Sequence, residues 1–124
     1  GDFRAASFSD RKIKRANADT VTINLVQNTD IAASLGERKL PGQVLVGFAA
    51  ESHDLLVNAS EKMKRKNLDF IVANDITAAD SGFGTDTNTV KLLSRSGTAE
   101  EFSGTKEDVA ERVWSSILDE DWLL

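Results

Sequence analysis

Two short apolar runs, QVLVGFA at residues 43–49 and LDFIVAND at 68–75, constrain this fold more than any other feature of the chain. Each has the length of a strand, and each is almost uninterrupted by polar residues, as expected for strands covered on both faces. Between them, SHDLLVNASEKMKRKN has helical spacing. Leu55, Leu56, Ala59 and Met63 share an arc of about 100° on a helical wheel. Upstream, TVTINLV (20–26) alternates and is rich in β-branched residues, which predicts a strand. QNTD breaks it, and Asn28 or Thr29 can cap a short helix running through Leu35. Gly36 and the Pro41-Gly42 pair punctuate the next connection. Downstream, TAADSGFGTDTN reads as loop and TVKLL as strand.

The closing SGTKEDVAERVWSSIL reads as a helix, with Thr105 as cap and Asp108 three residues on. Its expected inner face is Val109, Ala110, Val113, Trp114, Ile117 and Leu118. The acidic run Asp119–Asp121 opposes the helix dipole and marks the end. Strand, helix, strand, helix, strand predicts an α/β architecture, a mostly parallel sheet flanked by helices. The start, GDFRAASF, has no initiator methionine and reads like the tail of a strand. The expectation is therefore the C-terminal part of a larger domain.

At 124 residues the chain is the size of one domain and can bury a real core. It has no twenty-residue apolar run and no apolar segment behind a basic start, so neither a membrane span nor a signal peptide is expected. The absence of cysteine excludes disulfides and thiolate metal sites and fits a reducing, cytoplasmic location. A single histidine leaves a zinc site short of ligands. Net charge is −5, but residues 1–66 carry eleven Lys/Arg against eight Asp/Glu, giving +3. Residues 67–124 carry four against twelve, giving −8. Overall acidity argues against a nucleic-acid partner. Local cations in an acidic chain suit a small polyanion, such as a nucleoside triphosphate, or simply a solvated face.

In such sheets ligands collect beyond the carboxyl ends of the strands, here VQNTD, VGFAAE and VAND. Asn28 and Asp30 could hold ribose hydroxyls, although NTD taken alone is an ordinary helix cap. Gly47 permits close approach to the backbone. Phe48 offers a flat face to a base, or is core. Asp75 and Asp86 could face a metal-bound phosphate, or water. Lys62 and Lys66 fall within about 20° of Leu55 on the wheel, beside the apolar arc rather than opposite it. Two ammoniums at i,i+4 repel by a few tenths of a kcal/mol, so a shared anion explains the position better than solvation. Snorkelling stems are the innocent alternative. Arg11, Lys12, Lys14 and Arg15 form a second cationic cluster, RKIKR.

Taken together and in order, DFRAASFSDRKIKR, VQNTDIAASLG, GQVLVGFAAE, EKMKRKNLDFIVAND and GFGTDTN resemble phosphopantothenoylcysteine synthetase. The resemblance runs from Asp2 to about Leu93 and is to the C-terminal half of that domain. It implies a three-layer, Rossmann-like fold. It also implies CTP-dependent joining of 4'-phosphopantothenate to cysteine with Mg2+, and a homodimer. FMN is implied only for a fused decarboxylase domain that is not in this sequence. By the same resemblance, Asp2 binds nucleotide and Lys12 belongs to a flap acting in binding and turnover. Asn28, Thr29, Asp30 and Ile31 match a nucleotide-contacting NPDI, with Thr29 in place of proline. Phe48, Lys62 and Lys66 match further nucleotide contacts. Arg15 replaces a lysine of the flap, keeping charge but not its point-like geometry. The anion awaited by RKIKR is then CTP or the acyl-cytidylate, with the segment as a lid.

The resemblance also implies a glycine-rich phosphate turn and an asparagine needed for acyl-cytidylate formation, both upstream of Gly1. The expectation is that this chain alone lacks them and is inactive. A rival reading is a nucleotide-binding or oligomerisation module without catalysis. A nicotinamide-binding oxidoreductase is disfavoured, because no GxGxxG follows a strand.

Overall fold

The run at 68–75 becomes β4 (Phe70–Asp75), the most deeply covered strand of the protein, with Phe70, Ile71, Val72 and Ala73 all at most 2% exposed. The computed structural model describes residues 1–15, 19–77 and 84–119. In chain order the elements are β1 (Phe3–Ala5), β2 (Leu25–Gln27), α1 (Ile31–Arg38), β3 (Val46–Glu51), α2 (Leu55–Arg65), β4, β5 (Thr87–Ser94), β6 (Ala99–Thr105) and α3 (Lys106–Asp119). The chain divides into two compact units, Gly1–Ile31 and Ala32–Leu124.

In the second unit a four-stranded sheet has the order β3-β4-β5-β6. β3 and β4 are parallel, with Val46 opposite Phe70 and Phe48 opposite Val72. β4–β5 and β5–β6 are antiparallel. The sheet is therefore mixed, which corrects the expectation of a mostly parallel one. The reason lies in the connections. A parallel return needs a crossover, and α2 supplies the one between β3 and β4. No helix is described between β4 and β5, and a tight turn at Ser94–Thr98 joins β5 to β6, with Gly97 at φ 95°. β6 is a strand the sequence reading missed. Phe102 is its only buried side chain, so AEEFSGT carries too little apolar signal to register.

Alternate residues of each strand point to opposite faces. One face holds Phe70, Val72, Val90, Leu92 and Phe102 against Val109, Val113 and Ile117 of α3. The other holds Ala49, Ile71, Ala73 and Leu93 against Ala59 and Met63 of α2 and Leu68. The sheet is thus sandwiched between helices, the three-layer arrangement expected. α2 sits close because its contacts are small: Ala59 and Ala73 are fully buried, and a Cβ on Gly47 would lie 2.4 Å from a Leu68 methyl. Leu56, expected on the inner arc of α2, stands 41% exposed.

α3 starts as expected, the Asp108 N–H donating to Thr105 Oγ1 at 3.2 Å. Its buried stripe is narrower than predicted. Val109, Val113 and Ile117 are covered, whereas Ala110 is exposed and Trp114 and Leu118 are 60% and 62% exposed. A predicted end marked by Asp119–Asp121 falls partly outside the described residues.

A buried ionic junction ties the elements together at the amino ends of β3 and β4. The Asp69 carboxylate accepts from Lys39 Nζ at 2.9 Å through each oxygen and from the Leu45 N–H at 2.8 Å, with Arg95 Nε 3.8 Å away. Lys39 also donates to the Asn67 carbonyl at 2.9 Å. Lys39 and Asp69 are each paired and hydrogen-bonded, which is what allows them to be buried, while Arg95 remains exposed. Beside it, Gly36 of α1 lies against the end of α2. A Cβ there would sit 1.8 Å from the Lys66 carbonyl oxygen.

In the first unit β1 and β2 pair antiparallel, Arg4 opposite Val26. Strand structure covers only Leu25 and Val26 of the predicted 20–26, β2 being Leu25–Gln27. Val21, Ile23 and Leu25 alternate as a strand should, but they stand 63%, 71% and 59% exposed.

Candidate functional site

Within the first unit, Asn28 joins the end of β2 to the start of the chain. Its N–H donates to the Asp2 carbonyl at 2.7 Å and its Nδ2 to the Gly1 carbonyl at 2.8 Å. Its Oδ1 accepts from Arg4 Nη1 at 3.0 Å, and the same nitrogen donates to the Gln27 carbonyl. Two expected nucleotide contacts, Asp2 and Asn28, are therefore neighbours, with Thr29, Asp30 and Ile31 following directly. Residues 28–31 lead into α1 (Ile31–Arg38), as the helix prediction required. The side chain of Asn28 already spends its acceptor and one donor within the protein. The basic cluster is exposed throughout. Arg11 is shaped by a turn in which Ser9 Oγ donates to the Arg11 carbonyl at 2.7 Å, while Lys12 and Lys14 make no hydrogen bond or ion pair among the described residues. The predicted lid, residues 11–15, lies wholly within the described residues.

Within the second unit, the carboxyl ends of parallel β3 and β4 carry Ala50-Glu51 and Asn74-Asp75. Phe48 stands 74% exposed on β3 and so is not core, the bland alternative for it. The two-sided cover expected for this run is absent at Phe48 and Ala50 within the unit. Phe48 shares the α3 face with Val46 and forms one wall of an apolar groove of about 780 Å³. Trp114 and Val113 of α3 form the opposite wall, and its polar lining is Lys106, Glu111 and the pair Asn74 and Asn88, which are joined by a 2.6 Å hydrogen bond.

Lys62 approaches from the other face. Its ammonium pairs with Glu51 at the end of β3, reaching back along α2 toward the strand's carboxyl end. The Glu51 side chain is only 11% exposed, and Asn58 Nδ2 lies 3.5 Å from its second oxygen. Glu51, Asn58, Glu61, Lys62, Lys64 and Arg65 line a polar hollow of about 460 Å³. Lys66 is the C-cap of α2, its N–H donating to the Lys62 carbonyl at 3.0 Å, and it is half-buried. It thus lies at the opposite end of α2 from the carboxyl ends of the strands. Phe48 and Lys62 sit on opposite faces of β3, so a ligand touching both lies across the outer edge or over the carboxyl end of that strand.

The Asp75 carboxylate caps the turn that follows β4, accepting from the Thr77 N–H at 2.9 Å and from Thr77 Oγ1 at 2.6 Å. The Asp86 carbonyl accepts from the Lys106 N–H, and its side chain is exposed. The Gly-containing string before it is described only from Gly84 onward. Among the described residues no three His, Asp or Glu side chains gather to hold a metal ion. None of their helices is long and apolar enough to cross a membrane. Sequence reasoning missed Glu51: a carboxylate closing a strand reads as solvent-facing, and only the strand parity places it under α2.

The fold and this cluster at a strand end define an α/β domain with a mixed sheet and three helices, with a polar hollow on one face of β3 and an aromatic wall on the other. The chain belongs to the DNA/pantothenate metabolism flavoprotein C-terminal domain family, which it matches over residues 1–120. It is 44% identical over 96 residues to the coenzyme A biosynthesis bifunctional protein CoaBC of Bacillus subtilis, covering 77% of this chain and 23% of that protein. It is 45% identical over 118 residues to a cysteine/cysteine sulfinic acid decarboxylase from an unknown prokaryote, covering 94% of this chain and 33% of the relative. Among solved structures, the C-terminal domain of CoaBC aligns with a TM-score of 0.64 at 34% identity, covering 77% of this chain and 43% of that one. The DNA/pantothenate metabolism flavoprotein from Streptococcus pneumoniae shares the fold, at TM-score 0.66 and 20% identity over 83% of this chain and 44% of that one. The chain spans a third or less of the length of these curated relatives.

Proposed function

We propose that this chain supplies part of the CTP site of a phosphopantothenate–cysteine ligase of coenzyme A synthesis, working in the cytoplasm as a homodimer. The observation that carries the reading is the ion pair that anchors Lys62 at the carboxyl end of β3, a strand whose other face carries the exposed ring of Phe48. It occurs in a chain whose relatives include CoaBC. In the second unit a base can stack on Phe48 and phosphate charge can be met by Lys62, while Lys66 and, in the first unit, Lys12 enter the proposal through the family resemblance alone. Asp2 and the Asn28–Ile31 segment are the candidate sugar contacts.

A carboxylate resists amide formation because its leaving group would be oxide. In the proposed reaction the carboxylate oxygen of 4'-phosphopantothenate attacks the α-phosphorus of CTP, and the bond to pyrophosphate breaks. The nitrogen of cysteine then attacks the acyl carbon, CMP leaves and the amine proton passes to solvent. Neither step needs a protein nucleophile. Positioning and neutralisation of charge on the triphosphate are the work left to the residues, with Lys12 the candidate for turnover. Mg2+ would arrive on the triphosphate as part of the substrate.

CTP with Mg2+ is expected to raise the melting temperature well beyond an equal concentration of ATP, with the shift lost in Lys62→Ala and in Lys66→Ala. Equal shifts with both nucleotides would remove cytidine specificity, and no shift would remove nucleotide binding. The second reading, a binding or oligomerisation module without catalysis, is favoured by one observation. A relative covering 94% of this chain bears a decarboxylase name that includes no ligation step. It predicts the same nucleotide shift but no CMP release with cysteine and 4'-phosphopantothenate.

A further inference from the structure

We infer that Glu51 is a positioning residue that fixes the ammonium of Lys62 at the carboxyl end of β3, ready to face an anionic ligand. This rests on the nucleotide reading above and goes beyond it, since nothing in that reading gives Glu51 a role. A glutamate side chain is almost always left in water, yet that of Glu51 is 11% exposed. It is held there by the backbone, Glu51 lying opposite Asp75 in the parallel ladder and its carbonyl accepting from the Ile76 N–H at 3.1 Å. One carboxylate oxygen takes the Lys62 ammonium, and Asn58 approaches the other. Asn58 is itself fixed, Nδ2 donating to the His53 carbonyl at 3.0 Å and its N–H to the Asp54 carbonyl at 2.9 Å.

A free lysine explores many rotamers, and holding one costs entropy that weakens binding. Glu51 removes that freedom before the ligand arrives. It does so without closing the site, because the Lys62 side chain remains 36% exposed and an ammonium has three donors, of which Glu51 takes one. The remaining donors face the hollow shared with Lys64 and Arg65. The alternative role is opposite in sign: a carboxylate beside a phosphate site repels the anion, so Glu51 would merely compete for Lys62.

The two roles separate by substitution in the full-length chain. Glu51→Ala is expected to weaken CTP–Mg2+ binding about tenfold, the scale of one charge-assisted contact. Glu51→Gln, which keeps an oxygen acceptor for Lys62, is expected to restore binding to within about threefold of the parent on the same scale. Tighter binding by Glu51→Ala, or no recovery of binding in Glu51→Gln, would overturn the inference.

A labelling readout needs no nucleotide. In the parent, Lys62 is expected to acylate more slowly than exposed Lys64, measured by peptide mass spectrometry, and Glu51→Ala is expected to bring the two together. Equal rates in the parent would overturn the inference whatever CTP does. Slow labelling with no CTP binding would sink the nucleotide reading and leave Lys62 positioned by Glu51 for another anion, with inorganic pyrophosphate as the probe.

Discussion

In the first unit Val21, Ile23 and Leu25 alternate with polar residues and remain more than half exposed; in the second, neighbouring Ile71 and Val72 are 1% and 2% exposed. Both stretches are β-branched and of strand length. What differs is cover: α2 lies over one face of β4 and α3 over the other, and no described element of the first unit does this for residues 20–26. Alternation selects a face, but only a second element buries it. The same division runs through the cations. In the second unit Lys39, Lys62, Lys91 and Arg95 each face a carboxylate, whereas in the first Lys12 and Lys14 face none among the described residues.

The contrast can be broken most severely at β4. Phe70→Ala is expected to cost about 4 kcal/mol, through lost burial and the cavity left behind, against no more than about 0.5 kcal/mol for Ile23→Ala. Denaturant midpoints of the two variants check this, and equal losses would mean that the first unit hides a core of its own. Next in size, Asp69→Ala leaves Lys39 buried without its partner, at an expected cost of about 3 kcal/mol. Thr105→Ala, which removes the acceptor of the Asp108 N–H, is expected to cost about 1 kcal/mol in thermal unfolding. The smallest is Lys12→Ala, which by its denaturant midpoint is expected to leave stability within about 0.5 kcal/mol.

Where burial was strong the sequence could be read. β3, α2, β4 and α3 sit close to their expected positions because long apolar runs and helical spacing report the same cores that form. β6 was illegible, since an edge strand with a single buried Phe102 has no periodicity to find. The direction of β5 was misread because alternation of elements was extended past the last helical crossover. At the candidate site, wheel position marked Lys62 as unlike a solvated lysine, and its half-exposed place against Glu51 agrees with that. That Phe48 and Lys62 occupy opposite faces of β3 was not legible from either residue. It follows from the odd separation of Phe48 and Glu51 along one strand.

Gly36 couples two distant parts of the chain through nothing larger than a hydrogen atom. Because the Lys66 carbonyl occupies the space a methyl group would need, any side chain at 36 must lift the first helix off the second. Lys39 stands one turn further along and would be drawn away from Asn67 and Asp69 together. Residue replacement in an engineered variant is therefore free at many surface positions near the sheet but closed at this one, and a bulkier residue there would surface as damage some thirty positions downstream.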